Sequence, residues 1–425
     1  MTTAGAVTAN AGRARATIGA FLCMALGQSG VFVGSFAVFL PAVSPSLGGG
    51  ITTFTLIFTV ATYVSAIGLP VCGRLVDRVD VRVPATVGVL VFAGGLALLS
   101  QIRSTGVIFW LGAVCIGAGA ALSGPVTYVR VVSTWYSKNR ALALGVVLAI
   151  APQLSQAAAA PAVNLLIADH GWRTAYLVLA SVVLVVAGTA ALFLVKPRQS
   201  APAGDATPGR VEAVDGMTAR QVYRSRVFWA LVGADCLAVS ALIGSQTHLV
   251  SWLTSRGTSA DQATALTSML SLAGIAGVVI SGVVADRART QRVIVALYAV
   301  PPLGLGCLLL SGGSTLLQSV GVILTGIGIS AVTMLLPYLI TRYFGLRASA
   351  EVFGVSLGLS VISIGTGPLL ISVGFDATGS YALPMSLAVT ATVISLLLVS
   401  TMGAFRYSVE SAPPVAAEPA AEPAA

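Results

Sequence analysis

The sequence predicts an all-α membrane protein with twelve transmembrane helices in two pseudo-symmetric six-helix bundles. Three observations carry this expectation. Charged residues make up only 9% of the 425 positions while hydrophobic residues make up 56%, and the mean hydropathy is +0.94; an ordinary soluble domain carries about 25% charge. The charges that exist are spaced so that the gaps between them match a membrane crossing, which needs about 20 apolar residues. A polar loop pattern also recurs at a fixed distance along the chain, the mark of a duplicated unit. So little polar surface cannot coat a water-soluble globule, which excludes a soluble enzyme, an intrinsically disordered chain and a nucleic-acid binder.

The stretches free of Asp, Glu, Lys and Arg give the crossings in order. Residues 16–73 hold two, with Pro41, Pro45 and Gly48 to Gly50 supplying the turn between them. Single crossings follow at 83–102, 104–129, 141–168 and 174–195, then at 227–255, interrupted only by Asp235, and at 262–285. Residues 293–341 hold two more around Ser311-Gly-Gly-Ser314, and 352–375 and 377–405 complete the twelve. The runs are long and continuous, without the alternating ten-residue segments of a membrane barrel, so helices are the spanning element. Arg13 and Arg15 precede the first run, which is longer than the apolar region of a secretory signal and is read as a retained helix.

The chain then divides into a cytoplasmic tail at 1–16, an N-terminal six-helix bundle at 17–196, a cytoplasmic linker at 197–226, a C-terminal six-helix bundle at 227–406 and a disordered, Ala/Pro/Glu-rich cytoplasmic tail at 407–425. Basic residues concentrate on the cytoplasmic side of membrane proteins. With the N-terminus inside, the outward loops hold only Arg103, Arg173 and Arg256, and Arg130 lies at the end of the fourth crossing; every other one of the 23 basic residues faces inward, and both termini are cytoplasmic. The five cysteines all lie within or beside apolar runs, so no disulfide framework is expected, and no metal or other cofactor is called for.

The loop after the second crossing reads Gly73-Arg-Leu-Val-Asp77-Arg78-Val-Asp80-Val-Arg82, and the loop after the eighth reads Gly282-Val-Val-Ala-Asp286-Arg287. Asp77 and Asp286 stand 209 positions apart. A second echo at nearly the same distance joins Trp135-Tyr136-Ser-Lys-Asn-Arg140-Ala to Tyr343-Phe344-Gly-Leu-Arg347-Ala. At these residues the chain resembles the major facilitator superfamily, whose loop signature G-x-L-x-D-R-x-G-x-R is matched except that Asp80 replaces the second Gly. Gly171-Trp172-Arg173-Thr-Ala-Tyr176, Arg342 to Arg347 with Glu351 and Gly354, and Asp376-Ala-Thr-Gly-Ser-Tyr381 look like the monocarboxylate transporter and oxalate/formate antiporter branch. The resemblance implies two bundles rocking about a central site, a functional monomer in the lipid bilayer, and protons or exchange as the driving force. It also implies a conformational latch of Gly73, Asp77, Arg78, Arg82, Gly282, Asp286, Arg287, Arg140, Arg347 and Glu351, in which guanidinium–carboxylate pairs close one face and break on opening.

Polar groups inside the crossings are the candidates for chemistry. Asp235 lies well inside the seventh crossing, and an intramembrane carboxylate is a functional group by default, here a proton carrier, unless it only pairs with an arginine near the mouth. Arg130 offers the planar fork that matches a carboxylate, or else snorkels to the interface. Tyr338 is its counterpart under the repeat. Gln28, Tyr128, Gln246 and His248 each could donate to a carboxylate, or could be satisfied between helices. Gly30 and Gly34, and Gly112, Gly117 and Gly119, read as close helix packing. Branch members of known specificity are expected to use a cation deep in helices one, eight or eleven, and none is present here. The leading expectation is therefore a secondary transporter of a small organic anion, a monocarboxylate first, in the inner membrane. The rival within transport is a proton-coupled exporter of amphipathic compounds, favoured by an apolar cavity. A membrane enzyme has only His170 and His248, far apart, and no nucleophile constellation to support it; a receptor would need an appended domain.

Overall fold

The computed structural model describes residues 3–136, 140–195, 216–287, 290–345 and 347–407, and their side chains except those of 3–11, Asp77, Ala141, Asp286 and Ala350. The expected linker up to residue 215 and the expected tail from residue 408 lie outside the described residues, as do the side chains of the two latch carboxylates.

Eleven helical stretches among the described residues are long and apolar enough to cross a membrane. One of them, Leu142–Leu194, has 53 residues and turns at Gly171 (φ 79°, ψ 163°), a conformation that only glycine adopts freely, so it is two crossings and the total is twelve. The chain is an integral, multi-pass, all-α membrane protein. We name the crossings α1 (Gly12–Leu47), α2 (Gly50–Val76), α3 (Arg82–Leu99), α4 (Val107–Trp135), α5 (142–170), α6 (172–194), α7 (Arg226–Thr254), α8 (Ala260–Ala285), α9 (Gln291–Leu310), α10 (Thr315–Phe344), α11 (Glu351–Thr378) and α12 (Ala382–Ser400). Both described ends of the chain, residues 3 and 407, lie at one end of this up-and-down array, called here the terminal face; the opposite end is the far face.

One element differs from expectation. Pro41 and Pro45 do not form the α1–α2 turn but lie inside the helix, which runs on to Leu47; the turn is made by the glycines alone, Gly48 (φ 67°), Gly49 and Gly50 (φ 71°). Membrane helices tolerate internal proline because neighbouring groups satisfy the freed backbone.

The duplication seen in the loops extends to the packing. In the first half α4 packs on α2 and α3, and in the second half α10 packs on α8 and α9. The halves meet along α2 with α11, α5 with α8, and α1 with α7. A pseudo-twofold that exchanges α2 with α8 and α5 with α11 turns the first of these seams into the second and maps the third onto itself. Small residues allow the close approaches: a Cβ on Gly34 would stand 2.6 Å from the Gln156 Cα of α5, and one on Gly119 would stand 2.6 Å from the Phe92 nitrogen of α3.

Candidate substrate cavity and the seals around it

Two of the crossings are broken at mid-course. In α1 the helix ends at Ala25, Gly27 is extended (φ −80°, ψ −170°), and a π-helical turn runs over Gln28–Phe32 before the α-helix resumes. In α4 the helix ends at Leu122 and restarts at Pro125 after an extended Gly124 (φ −110°, ψ −167°). Non-helical backbone at membrane depth is tolerated only inside protein or beside a water-filled cavity. Both breaks meet a cavity of about 360 Å³ between the two halves. Gln28, Ser29, Thr62, Ser65, Ser123 and Thr333 are its polar groups, and Phe58, Leu357 and Ile364 belong to its apolar wall. No Asp, Glu, Lys, Arg or His is among the lining residues.

The sequence candidates fall in several places. Gln28 lines the cavity. Arg130 is exposed on α4, one turn past Val126 and on the same helical face, which puts it beyond the cavity toward the terminal face. Tyr128 is fully buried within the first half, its hydroxyl 2.6 Å from the Ser123 hydroxyl. Tyr338 is half-buried near the terminal face beside Arg342 and Phe405. His248 is fully buried inside the second half, between the Tyr381 hydroxyl at 3.3 Å and the Pro368 carbonyl at 3.0 Å. Asp235 also faces the interior of the second half: it is 2% exposed and accepts a hydrogen bond from the Ser360 hydroxyl of α11. Membership of the seventh crossing therefore does not bring these groups to the cavity, because α7 turns those positions toward α11 and α12. Ser29, Thr62, Ser65, Ser123 and Thr333 were not singled out by sequence, although the breakers Gly27 and Gly124-Pro125 inside otherwise apolar runs carried the signal.

Gln246 has a different task. Its amide donates to Gln156 Oε1 across the halves at 3.0 Å, while Gln156 Nε2 donates to the Ser29 carbonyl at the α1 break at 2.6 Å. Further bonds join the halves at mid-depth or nearer the far face: Gln153 to Ser330 (3.2 Å), Thr59 to the Gly365 carbonyl (2.9 Å), Tyr63 with Thr366 (2.7 Å) and Asn164 to Asp261 (2.7 Å). At the far rim the Asp376 carboxylate of α11 accepts from the backbone N–H groups of Ile51 (3.2 Å) and Thr52 (3.0 Å), a cap on the first turn of α2 supplied by the other half.

At the terminal face, Arg78, Arg140, Arg287 and Arg347 are exposed, and a Cβ on Gly73 or Gly282 would meet open space. Arg82 is half-buried, with its backbone N–H on Asp80. Glu351 accepts from the Tyr223 hydroxyl at 3.3 Å, which ties the short linker helix Ala219–Tyr223 to the start of α11; burial and the neighbouring carboxylate push the Tyr223 phenol up.

The family profile of the Major Facilitator Superfamily matches residues 17–368. An uncharacterized transporter of Bacillus subtilis, YycB, is 30% identical over 155 residues, which is 36% of this chain; the match covers only 38% of the relative's own length. Two solved structures of a bacterial homolog of the human lysosomal transporter Spinster share the fold. The inward-facing, unoccupied form gives a TM-score of 0.67 at 14% identity over 92% of this chain and 96% of that one, and the inward-facing, occupied form gives 0.65 at 16% identity over 91% and 94%. With twelve crossings in two pseudo-symmetric bundles about a cavity at two helix breaks, and a family match across most of its length, the chain belongs to the Major Facilitator Superfamily of transporters.

Proposed function

We propose that this protein is a secondary active transporter of the cytoplasmic membrane, with both termini inside, that carries a small monocarboxylate with an apolar body by alternating access. One observation carries the reading: the cavity where the α1 and α4 breaks meet, with apolar walls and a few convergent hydroxyl and amide groups. Such a lining suits an organic molecule better than a bare ion. Gln28 and Ser123 offer donors to a carboxylate, and the first turn of the helix restarting at Pro125 adds the positive end of its dipole. Arg130, one turn from the cavity toward the terminal face, stands beside the entry from that side, and its fork matches a carboxylate. The sequence resemblance to the monocarboxylate branch points the same way. On this orientation the far-face seal makes the described state inward-open.

Asp235 is the group we propose for proton coupling, acting from inside the second half and not from the cavity. Uptake driven by a pH gradient in proteoliposomes is then lost in Asp235→Asn while exchange persists; full pH-driven uptake in that variant removes Asp235 from the mechanism.

A second reading has its own observation. The absence of charged side chains from the lining favours an uncharged amphipathic substrate and an exporter. Thermal stability of the purified protein against apolar monocarboxylic acids, their amides and dicarboxylic acids separates the two, since a ligand stabilises the state it binds. Stabilisation by the acids alone supports the carboxylate reading, and equal stabilisation by the amides supports the exporter. For the acid that works, Arg130→Ala is expected to raise the half-maximal concentration about tenfold, the loss of one charge-assisted contact; an unchanged value removes Arg130 from the anion path.

A further inference from the structure

A second cavity, of about 490 Å³, lies at the terminal face of the second half and shares no lining residue with the central one. Arg292 at the start of α9, Arg342 in the last turn of α10 and Arg406 beyond α12 converge on it, with Thr290, Gln291 and Tyr407 beside them and no Asp or Glu among its lining residues. Arg342 is the unusual member. It is 9% exposed, and its Nε is buried without a hydrogen-bond partner. Its guanidinium lies 4.5 Å from the Phe405 ring centre and 5.8 Å from that of Tyr338, so aromatic faces flank it without supplying an acceptor. The wall is held in place: the Arg342 carbonyl accepts from the backbone N–H groups of Arg406 (3.2 Å) and Tyr407 (3.1 Å), which clamps the segment after α12 across the end of α10.

Three arginines that line one cavity with no carboxylate among the lining residues make it electropositive, and a buried guanidinium N–H without an acceptor leaves a strong donor unused. An anion with several acceptor oxygens relieves both conditions, and phosphate is the chemistry that arginine forks match best. We infer that this cavity is a binding site for a phosphate-bearing anion, occupied in the membrane by the headgroup of an anionic phospholipid. The lipid is favoured as the source by position. The cavity opens where α9 begins and α10 and α12 end, the level of the headgroups, and Val293 and Leu397 on those helix ends are exposed apolar side chains along which acyl chains can lie. The site holds a structural lipid at the base of the second half; it does not depend on what the central cavity transports.

The test uses the full chain purified in a zwitterionic detergent, with tryptophan fluorescence reporting the melting temperature. The probes are short-chain phosphatidylglycerol, short-chain phosphatidylcholine and inorganic phosphate. Arg292 and Arg406 are exposed, so Arg292→Gln with Arg406→Gln leaves the fold intact, and Arg220→Gln with Arg224→Gln, two exposed arginines of the linker, is the control of equal charge change. Phosphatidylglycerol is expected to raise the wild-type melting temperature and phosphatidylcholine to leave it unchanged. The half-maximal concentration of phosphatidylglycerol should rise about tenfold in the Arg292/Arg406 variant and stay constant in the control. Equal responses of the two variants overturn the site. A shift produced equally well by inorganic phosphate, and lost with Arg292 and Arg406, overturns the lipid source and assigns the site to a free phosphate compound.

Discussion

The two faces of the molecule are built from different interactions. At mid-depth and toward the far face, the halves are joined mainly by neutral, directional hydrogen bonds: amide to amide at Gln246–Gln156, amide to hydroxyl at Gln153–Ser330, hydroxyl to carbonyl at Thr59–Gly365. Among the described residues, charge enters these contacts at the rim, where Asp376 caps α2 and Asp261 meets Asn164. The terminal face instead presents exposed arginines at Arg78, Arg140, Arg287 and Arg347. A seal inside the membrane has to satisfy every polar group it buries without isolating a charge, so neutral pairs suit it. A face in contact with water and headgroups bears charge at little cost, and its pairs part easily on opening. Substitutions on each face should therefore differ in size, and the order of their effects tests the contrast.

The largest effect is expected at Gln156. It is 8% exposed and bridges the α1 break to both Gln246 and, at 3.5 Å, Ser271 of the other half. Gln156→Leu strands the Gln246 amide, itself 5% exposed, at about 1–3 kcal/mol for a buried group left unpaired. The far-closed state alone bears that cost. The closed-to-open ratio at the far face should fall about 5- to 150-fold. Spin-label distances between the α1–α2 and α11–α12 turns read this ratio, and an unchanged distance distribution shows that the amide pair is not what holds the seal.

Asp376→Ala comes next. It removes a cap of two N–H groups at a solvent-exposed rim, worth about 0.5–2 kcal/mol, so the same distances should shift by a factor of about 2–30. Gly50 gives an independent route to the same contact. Its φ of 71° and the approach of a Cβ to 2.6 Å from the Asp376 carboxylate make Gly50→Ala push the cap away while leaving the carboxylate present. Agreement between the two variants separates loss of the cap from loss of the charge.

The fold was legible in the sequence because charge scarcity and the twofold loop pattern report on the bilayer and on the duplication directly. Gaps between charges gave all twelve crossings, including the pair that the helix merges around Gly171, where Arg173 marked the turn. The cavity was only partly legible. Gln28 reads as a polar residue of the first crossing, but whether Asp235 and His248 face a cavity or neighbouring helices stays open in the sequence, and both lie in the core of the second half. Hydropathy tells how deep a residue sits and is silent on helix rotation, which is set by packing against α11 and α12. The seals were illegible for a related reason: Gln156, Gln153 and Thr59 have ordinary polar side chains, and their pairing across halves depends on a contact between helices far apart in the chain.

The smallest effect is expected on the terminal face, and it should appear in a different observable. Arg347 is exposed in the described state, in which the seals lie at mid-depth and toward the far face, so Arg347→Gln removes nothing that holds this state together. Its proposed latch forms only when the terminal face closes. The substitution should leave the far-face distances and the melting temperature unchanged and lower the turnover number by about fivefold at most, the equivalent of a surface ion pair worth up to about 1 kcal/mol. The direction follows from which state loses the interaction: the terminal-closed state becomes rarer, and each cycle must pass through it. A loss of turnover well beyond about fivefold would mean that the arginine closes on a buried partner, and the contrast between a neutral interior seal and a charged, easily parted rim would fail at this face.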